Sequence, residues 1–420
     1  MIETITIQPG IFLRCCQDTR FKTNCLSLQI VRPLSRDEAS ANALISAVLL
    51  RGTERYPDLR DITLHLDDLY GASVGSLVRR VGDYQTTGFY CSFTEERFAA
   101  AGDEILRPMV EFVGELLNNP KLKDGAFDPD FVEGEKRNLL ASIEAQKNDK
   151  RSYAAAQLNR YMLAEDPAGV PRLGEPEQVR ALEPAGLYEH YRKILSQSRI
   201  DLFYVGSQNP AAIAELLKPI FADIDRNYVN PPEQTAFRDC GGSRHTEQME
   251  VTQGKLQMGF VIDSTINSPD FVPMQVLNTV FGGGMTSKLF MNIREKMSLC
   301  YDIGSSYVGS KGILTVGAGM DCDMAETVEQ EILCQLEQCR RGEITQEELD
   351  SAKQSLISSL RAVPDSPSSI ENYFSTAALS GLTLTLEEYR QQVEQVCVPQ
   401  LAELAKRLEL HSVFLLKGVQ

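Results

Sequence analysis

The chain has 420 residues, which corresponds to two or three domains of ordinary size. Hydrophobic residues make up 43% of it and charged residues 24%, values that are typical of globular proteins and exclude disordered, collagen-like and coiled-coil classes. The net charge is −16 and there is no long basic run, so we expect no nucleic-acid partner, since binding to a duplex needs clustered Lys and Arg.

The sequence shows no signal for export or membrane insertion. Its first residues lack a basic stretch followed by an apolar one, and no segment approaches the roughly 18 apolar residues of a membrane span. The ten cysteines form no C-x-x-C pair, and in a reducing compartment scattered cysteines are mostly small core residues. We therefore expect a cytoplasmic protein with no membrane partner and no cysteine-based metal site.

The first half alternates between strand-like and helical patterns. β-Forming residues dominate as far as Val31, and a helical period follows over residues 36–50, where Ser35 and Glu38 have the spacing of a capping box. Other predicted helices cover residues 58–70, 95–117, 128–148, 152–163 and 210–221, and other predicted strands cover 73–81, 86–93 and 200–205.

Residues 225–244 are rich in Asn, Pro and Gly and are the predicted linker. They separate an N-terminal domain, 1–228, from a C-terminal domain, 240–420. The halves look related, because the strand at 88–93 and the acidic helix after it align without gaps with 315–320 and its following helix, at a constant offset of 227. This repeat predicts an α+β fold of two homologous domains, each an antiparallel sheet layered against helices.

Histidines and glycines are the first candidates for chemistry. The four histidines are His65, His190, His245 and His411. No two of them have the spacing of ligands on one helix face, so we interpret each as a surface or core residue. The glycines at 282–284, with Lys288 close behind, are conceivable as a phosphate loop, but the spacing matches no nucleotide fingerprint. We favour a tight turn where two elements pack closely.

Two sequence segments resemble those of a known protein family. Residues 281–308, FGGGMTSKLFMNIREKMSLCYDIGSSYV, resemble the second-half signature of the pitrilysin/insulinase family, the inverted H-x-x-E-H zinc peptidases that include the mitochondrial processing peptidases. Residues 50–57, LRGTERYP, resemble the phrase that follows the family's zinc helix. The resemblance spans essentially the whole chain and is to a bacterial member with a degenerate zinc motif. It implies that the two domains form half of a clamshell.

The resemblance places the family's metal-binding positions on residues that bind no metal. The two zinc histidines correspond to Ala43 and Ala47, the catalytic glutamate to Ser46, and the third ligand, a glutamate, to Ser142. Alanine offers no lone pair, and the neutral hydroxyl of serine is a poor general base. The resemblance therefore implies no catalytic residue and no metal in this chain, with zinc expected only in a partner.

The second-half motif is preserved. In the family an arginine, and a tyrosine seven residues after it, face the zinc across the chamber, where they hold substrate carbonyls and support the developing oxyanion. They correspond to Arg294 and Tyr301, which keep a guanidinium and a phenol as donors. The resemblance thus implies that these two residues bind substrate.

Three functions are compatible with these observations. The first is a non-catalytic subunit that pairs with a zinc-bearing homologue, or with itself, around a peptide or unfolded polypeptide. The second is a peptide- or protein-binding scaffold with no proteolytic role. The third is a hydrolase with a non-standard metal site, for which carboxylates would suit magnesium or calcium better than catalytic zinc. The carboxylates available for it are Asp67, Asp68, Asp128, Asp130, Glu133 and Glu135.

Overall fold

The computed structural model describes residues 2–418 and divides into two compact units. The first unit contains the chain up to Ile143, Val170–Glu233 and Val363–Leu379, and the second contains Glu144–Gly169, Gln234–Ala362 and the chain from Ser380 onward. Among the described residues, none of the helices is both long and apolar enough to cross a membrane.

Within the described residues, the first half of the chain supplies eight strands and eight α-helices. The strands are β1 (Ile2–Gln8), β2 (Ile11–Gln17), β3 (Thr23–Pro33), β4 (Ser73–Val81), β5 (Tyr84–Thr94), β6 (Leu122–Lys123), β7 (Ala126–Phe127) and β8 (Arg199–Gly206). The helices are α1 (Arg36–Leu49), α2 (Leu59–Asp68), α3 (Leu106–Asn118), α4 (Pro129–Ala145), α5 (Lys150–Met162), α6 (Pro176–Ala181), α7 (Pro184–Gln197) and α8 (Pro210–Ala222). Six of the strands form one sheet in the order β1-β2-β8-β3-β5-β4.

The second half builds a five-stranded sheet. Its strands are β9 (Arg244–Met249), β10 (Gly254–Val261), β11 (Asp302–Val308), β12 (Ile313–Met320) and β13 (Glu409–Gly418). Its helices are α9 (Phe271–Phe281), a π-helix (Leu289–Lys296), α10 (Ala325–Arg340), α11 (Gln346–Ala362), α12 (Pro367–Ser380), α13 (Leu386–Gln395) and α14 (Val398–Arg407). The strand order is β11-β12-β10-β13-β9.

The two sheets repeat one topology. The order β8-β3-β5-β4 in the first corresponds to β13-β10-β12-β11 in the second, with antiparallel pairing throughout these four strands. The residues aligned in the sequence, 88–93 and 315–320, lie in the equivalent strands β5 and β12. The predicted α+β class and the duplication are therefore confirmed.

Each sheet also contains one parallel pair, which the prediction of antiparallel sheets did not include. β2 pairs with β8 in parallel, with Ile11 opposite Ile200, and β9 pairs with β13 in parallel, with Arg244 opposite Val413. A parallel pair needs a long connection between its strands. Here the other strands of each sheet, apart from β1, lie between the two partners along the chain, so the last strand of each sheet returns beside its first strands.

The compact units differ from the contiguous ranges 1–228 and 240–420 because each half of the chain contributes one helix to the other unit. Helix α5 belongs to the second unit, where it packs on β10 and β13, and Met162 lies so close to Gly259 that a side chain there would collide with it. Helix α12 lies in the first unit, where Ile370 joins a buried cluster with Cys25 and Phe203. Hydrophobic periodicity reports that a helix has an apolar face, but not which sheet covers it.

One predicted helix start and one predicted helix cap were wrong. The helix predicted from residue 95 begins at Leu106, because the Glu96 carboxylate accepts hydrogen bonds of 3.1 Å from the backbone N–H groups of Ile105 and Leu106 and so caps the helix there. At α1, Ser35 makes no side-chain capping bond. Glu38 instead pairs with Arg32 and Lys193, so the predicted capping box does not form.

Candidate functional site

Helix α1 carries the two positions to which the resemblance assigns the zinc histidines, and it packs in the core of the first unit. Leu44, Ile45 and Val48 anchor the helix in the hydrophobic core. Ala43 is 5% exposed, and Ala47 is half-buried. Both alanines present only a methyl group, so the helix offers no metal ligand at either position.

Ser46 is bound within the protein. Its Oγ lies 2.7 Å from the Oγ of Ser76 on β4 and accepts a hydrogen bond of 3.2 Å from Thr87 on β5. The residue is 1% exposed. A neutral, buried hydroxyl with two such partners is a structural link between α1 and the sheet, and it has no capacity to act as a base.

Helix α4 supplies the fourth position. Ser142 is exposed and donates a hydrogen bond of 2.9 Å to the carbonyl of Asn138, one turn earlier in the helix. Glu135, on the same helix, pairs with Arg51 at 3.4 Å and accepts hydrogen bonds from Asn138. The carboxylate of Glu135 is therefore already engaged by protein donors.

One pocket of about 480 Å³ brings these positions together. Ala43, Ala47 and Ser142 all line it, while Ser46 lies behind them. The remaining lining residues are Leu44, Ser76, Leu77, Val78, Arg79, Glu135, Asn138, Leu139, Arg172 and Leu173. The methyl groups of Ala43 and Ala47 and the Ser142 hydroxyl, which is already hydrogen-bonded to Asn138, do not fit a zinc ion. Zinc takes nitrogen, sulfur or carboxylate ligands.

Metal-binding groups do not cluster elsewhere in the part of the chain that the structure describes. Among residues 2–418, no three His, Cys, Asp or Glu side chains are grouped so that they could hold a metal ion. The carboxylates from Asp67 to Glu135 that the non-standard metal hypothesis invoked therefore form no such group. That hypothesis has no structural support.

Each of the four histidines contacts a neighbouring side chain through a hydrogen bond or a stacked ring. The Nε2 atom of His190 lies 2.8 Å from the Oδ1 of Asn42, whose own amide donates to Gln85 at 3.0 Å. Burial lowers the pKa of His190, against the opposing effect of the Glu38 carboxylate. His65 stacks on Tyr56 with ring centroids 4.5 Å apart, and burial lowers the pKa of His65 as well. In the second unit His245 stacks on Tyr161, and His411 contacts Asp239.

The Arg294 and Tyr301 side chains reach solvent in the second unit. Arg294 lies on the π-helix, with its guanidinium 4.5 Å from the ring centroid of Phe290 and 3.4 Å from Glu295, and its side chain is 39% exposed. Tyr301 is 52% exposed and donates a hydrogen bond of 2.8 Å to Asp321. This hydrogen bond to a carboxylate raises the pKa of Tyr301, so the phenol keeps its proton.

The turn between these two residues has an unusual backbone. Ser298 has φ +54°, in the left-handed region that glycine favours. It follows the end of the π-helix, where the Leu299 N–H donates to the carbonyl of Ile293 at 3.0 Å and closes the last turn. A π-helix and a strained turn recur at functional sites. Here they fix the chain between Arg294 and Tyr301.

The glycine run has the role of a close-packed turn. A Cβ at Gly283 would lie 2.8 Å from the Cα of Thr279, and one at Gly282 would lie 2.6 Å from the Oγ of Ser305. Lys288 pairs with Glu348 at 2.9 Å and is 4% exposed, so it is not free to hold a phosphate.

A second pocket of about 790 Å³ lies beside Gly284 and Met285 and is lined by polar residues of α11.

Sequence reasoning missed a buried carboxylate in the first unit. Glu371 on α12 is fully buried and accepts from both terminal nitrogens of Arg79, at 2.9 and 2.8 Å. Ser27 and Gln29 on β3 donate to the same carboxylate at 2.8 and 3.0 Å. The sequence around Glu371, a single glutamate in a serine-rich helix, did not indicate these contacts, because the partner residues lie 292 to 344 residues away in the chain. It holds Arg79 beside the pocket.

Two α+β units have a repeated topology, and one pocket holds two alanines and a serine at the positions that the resemblance assigns to zinc ligands. These are the features expected of a zinc-peptidase homologue that has lost its ligand set. Comparisons with known proteins agree. The family described as "Peptidase M16 inactive domain" matches residues 181–356. The chain is 26% identical over 411 residues, 98% of this chain and 96% of the relative, to the probable inactive metalloprotease YmfF of Bacillus subtilis.

Solved structures share the fold. A conserved protein from Enterococcus faecalis is 26% identical, with a TM-score of 0.91 and coverage of 100% of this chain and 99% of that one. A chain of complex III2 from Candida albicans is 15% identical, with a TM-score of 0.74 over 100% of this chain and 96% of that one. The chain is therefore similar to M16 peptidases and to a relative described as inactive, which agrees with the resemblance of its motifs to the pitrilysin/insulinase family.

Proposed function

We propose that this chain is the non-catalytic subunit of a two-chain peptidase. A partner carrying an intact H-x-x-E-H motif supplies zinc, and this chain supplies Arg294 and Tyr301 to a shared chamber that encloses a peptide or unfolded polypeptide. The cytoplasm is the proposed compartment, and the scattered, unpaired cysteines support it.

One contrast carries the proposal. The positions that would perform metal chemistry have lost every ligand, whereas the positions that would hold substrate have kept both donors. The guanidinium of Arg294 lies over the Phe290 ring and beside Glu295, and these two neighbours engage only part of its five N–H donors. Tyr301 donates its single O–H to Asp321 at an exposed position, and in the proposed chamber a substrate carbonyl would replace Asp321 as the acceptor. A chain that had lost all connection with peptides would have no reason to retain an exposed pair of this kind.

Sheet edges offer a way to bind an extended chain. β4 and β11 each lie at one end of their sheets, and β11 begins directly after Tyr301. An edge strand presents backbone N–H and C=O groups to which an extended peptide can add as a further strand. Backbone recognition is tolerant of sequence, which suits a substrate that is an unfolded polypeptide.

Assembly with a second chain is compatible with this fold, since a chain of similar fold is part of complex III2 in Candida albicans. A zinc-bearing partner is needed for hydrolysis. A pair made of two copies of this chain would have degenerate metal positions in both subunits and would bind peptide without cleaving it. That pair corresponds to the scaffold function, the alternative to the peptidase subunit.

The experiment is reconstitution with a zinc-bearing homologue from the same genome. Arg294→Ala should lower peptide turnover by the pair about a hundredfold, as the loss of one oxyanion donor does, while the pair still co-elutes in size-exclusion chromatography. Arg361→Ala, at an exposed arginine of α11, is the matched control and should leave turnover unchanged. Unchanged turnover in Arg294→Ala would refute the role of Arg294, and binding without hydrolysis in every pairing would favour the scaffold.

A further inference from the structure

The pocket of about 480 Å³ in the first unit contains one positive charge that no carboxylate compensates. Three charged side chains line it. Arg79 is paired with the buried Glu371 at 2.8 Å, and Glu135 is paired with Arg51 at 3.4 Å. The third is Arg172, which has no carboxylate partner among the residues that the structure describes. The charged groups that face this pocket therefore leave a positive charge at Arg172.

Most of the hydrogen-bonding capacity of Arg172 is unused. Its Nη1 donates to the carbonyl of Val78 on β4 at 3.0 Å, which engages one of the five N–H groups of the guanidinium. Val78 itself lines the pocket, so this bond holds the guanidinium at the pocket wall. The remaining N–H groups form a planar fork, which is the geometry that binds a carboxylate through two parallel hydrogen bonds.

The backbone that carries Arg172 is fixed by the first unit. The side chain of Gln85, which is fully buried, donates to the carbonyl of Arg172 at 2.7 Å. The Gly174 N–H donates to the carbonyl of Pro171 at 2.9 Å and closes a turn around Arg172. Gly174 has φ +74°, and a Cβ there would lie 2.0 Å from the Oγ of Ser40, so the turn packs closely against α1. A guanidinium presented on such a fixed turn loses little freedom when it binds a ligand.

The rest of the lining strengthens an interaction with this guanidinium. Ala43, Ala47, Leu44 and Leu139 contribute apolar surface, and a charge-assisted hydrogen bond is stronger beside apolar groups than in water. The volume of the pocket lies within the range of roughly 300 to 1,000 Å³ that is typical of ligand pockets. A cationic occupant would be repelled by Arg172, and a neutral carbonyl would accept weaker hydrogen bonds from it than a carboxylate does.

We infer that this pocket binds a carboxylate, from an acidic side chain or from the C-terminus of a polypeptide, through paired hydrogen bonds from Arg172. The inference rests on the proposed function and deepens it, because it names the chemical group of the polypeptide that the pocket selects. The net charge of the chain is −16, so attraction to the protein as a whole would favour cationic peptides. A preference for a carboxylate therefore reports the local site.

The test uses the full chain and short fluorescently labelled peptides, with binding measured by fluorescence anisotropy. Three peptides have an amidated C-terminus and differ only in a central Glu, Gln or Lys, and a fourth has the central Gln and a free C-terminal carboxylate. The Glu peptide, if the site takes a side chain, or the fourth peptide, if it takes a chain terminus, should bind at least about tenfold more tightly than the amidated Gln and Lys peptides, as expected for a hydrogen bond to a charged group.

Variants of the arginine locate the site. Arg172→Gln keeps a donor for the Val78 carbonyl and should abolish the preference for a carboxylate, and Arg172→Lys, which keeps the charge but not the fork, should retain only part of it. Arg180→Gln, at an exposed arginine of α6 outside the pocket lining, removes the same charge and should preserve the preference. Because Arg172 is exposed, its variants should unfold at the same denaturant concentration as the unaltered chain.

The outcomes that contradict this inference differ from those that contradict the proposed function. Equal binding of all four peptides would overturn the carboxylate site and leave peptide binding by the chain intact. A preference for a carboxylate that survives in Arg172→Gln would overturn the assignment to this pocket. Failure of every peptide to bind, either to the chain or to its reconstituted pair, would overturn both the inference and the proposed function.

Discussion

Glu371 and Arg79 are 292 residues apart in the chain and form a bidentate ion pair inside the first unit. The carboxylate comes from α12, a helix of the C-terminal half, and the guanidinium comes from β4, which forms a wall of the pocket. Ser27 and Gln29 complete the set of donors around the carboxylate. This pair fastens a distant helix to the sheet and fixes the position of an arginine at the candidate site.

Glu371→Gln should destabilise the protein by about 3 kcal/mol, because removing one charge of a buried pair leaves the other without compensation. The measurement is the free energy of unfolding from denaturant titration. Glu347→Gln, at an exposed glutamate of α11, is the control and should change this free energy by less than about 0.5 kcal/mol. If the two variants unfold at the same denaturant concentration, Glu371 does not anchor α12.

Metal binding should return when the ligands are restored. The purified, tag-free chain should contain almost no zinc by elemental mass spectrometry after dialysis against zinc, whereas Ala43→His, Ala47→His and Ser142→Glu combined should bind about one zinc per chain, since all three positions line one pocket. The double-histidine variant alone should bind more weakly. Stoichiometric zinc in the unaltered chain would show that the motif has been placed on the wrong residues.

Acid should weaken the first unit through His190. Burial lowers the pKa of His190 below the unfolded value near 6.5, so the folded state binds this proton less readily than the unfolded state does. The resulting stability is present above pH 6.5 and is lost as the pH falls through the lowered pKa. His190→Gln keeps a donor for Asn42 and removes the titration. When the pH is lowered from about 8 to 5, the free energy of unfolding of the His190→Gln variant should therefore fall less than that of the unaltered chain. Parallel curves for the two proteins would contradict this assignment.

The left-handed turn at Ser298 should discriminate between replacements. Ser298→Val should lower the free energy of unfolding by about 1–2 kcal/mol, because a β-branched residue resists φ +54°, whereas Ser298→Gly should be neutral or stabilising. Thermal unfolding of the two variants beside the unaltered chain makes the comparison. Equal losses in both would mean that the serine hydroxyl, and not the backbone conformation, is what this turn needs.

Local patterns predicted those parts of the fold that depend on local chemistry. The strand expected at 73–81 has those bounds in the structure, since its alternation runs into a glycine turn. Helix α12 was not assigned to the first sheet, because Glu371 finds Ser27 344 residues away and no periodicity encodes that distance. The return of the last strand of each unit beside its first strands was missed for the same reason.

The candidate site divides in a similar way. Ala43, Ala47 and Ser142 were located by motif spacing on two helices, and the fold brings them to one pocket. Arg79 and Arg172 line the same pocket, but they come from a strand edge and an irregular segment, where side-chain direction depends on tertiary contacts. The chemistry of the pocket, with some of its charged side chains already paired, was therefore visible only in three dimensions.

The exchange of α5 and α12 bears on how the two halves of the chain fold. Each helix follows the equivalent long helix of its repeat, α4 or α11, and each is incorporated into the unit that the other repeat builds. A single repeat with this topology would have a sheet without its covering helix and a helix without its sheet. Two separate copies could cover both sheets if each copy packed this helix against the sheet of the other copy, as domain-swapped dimers do. In this chain the exchange is intramolecular, so neither unit is complete until a helix from the other half of the chain has packed into it.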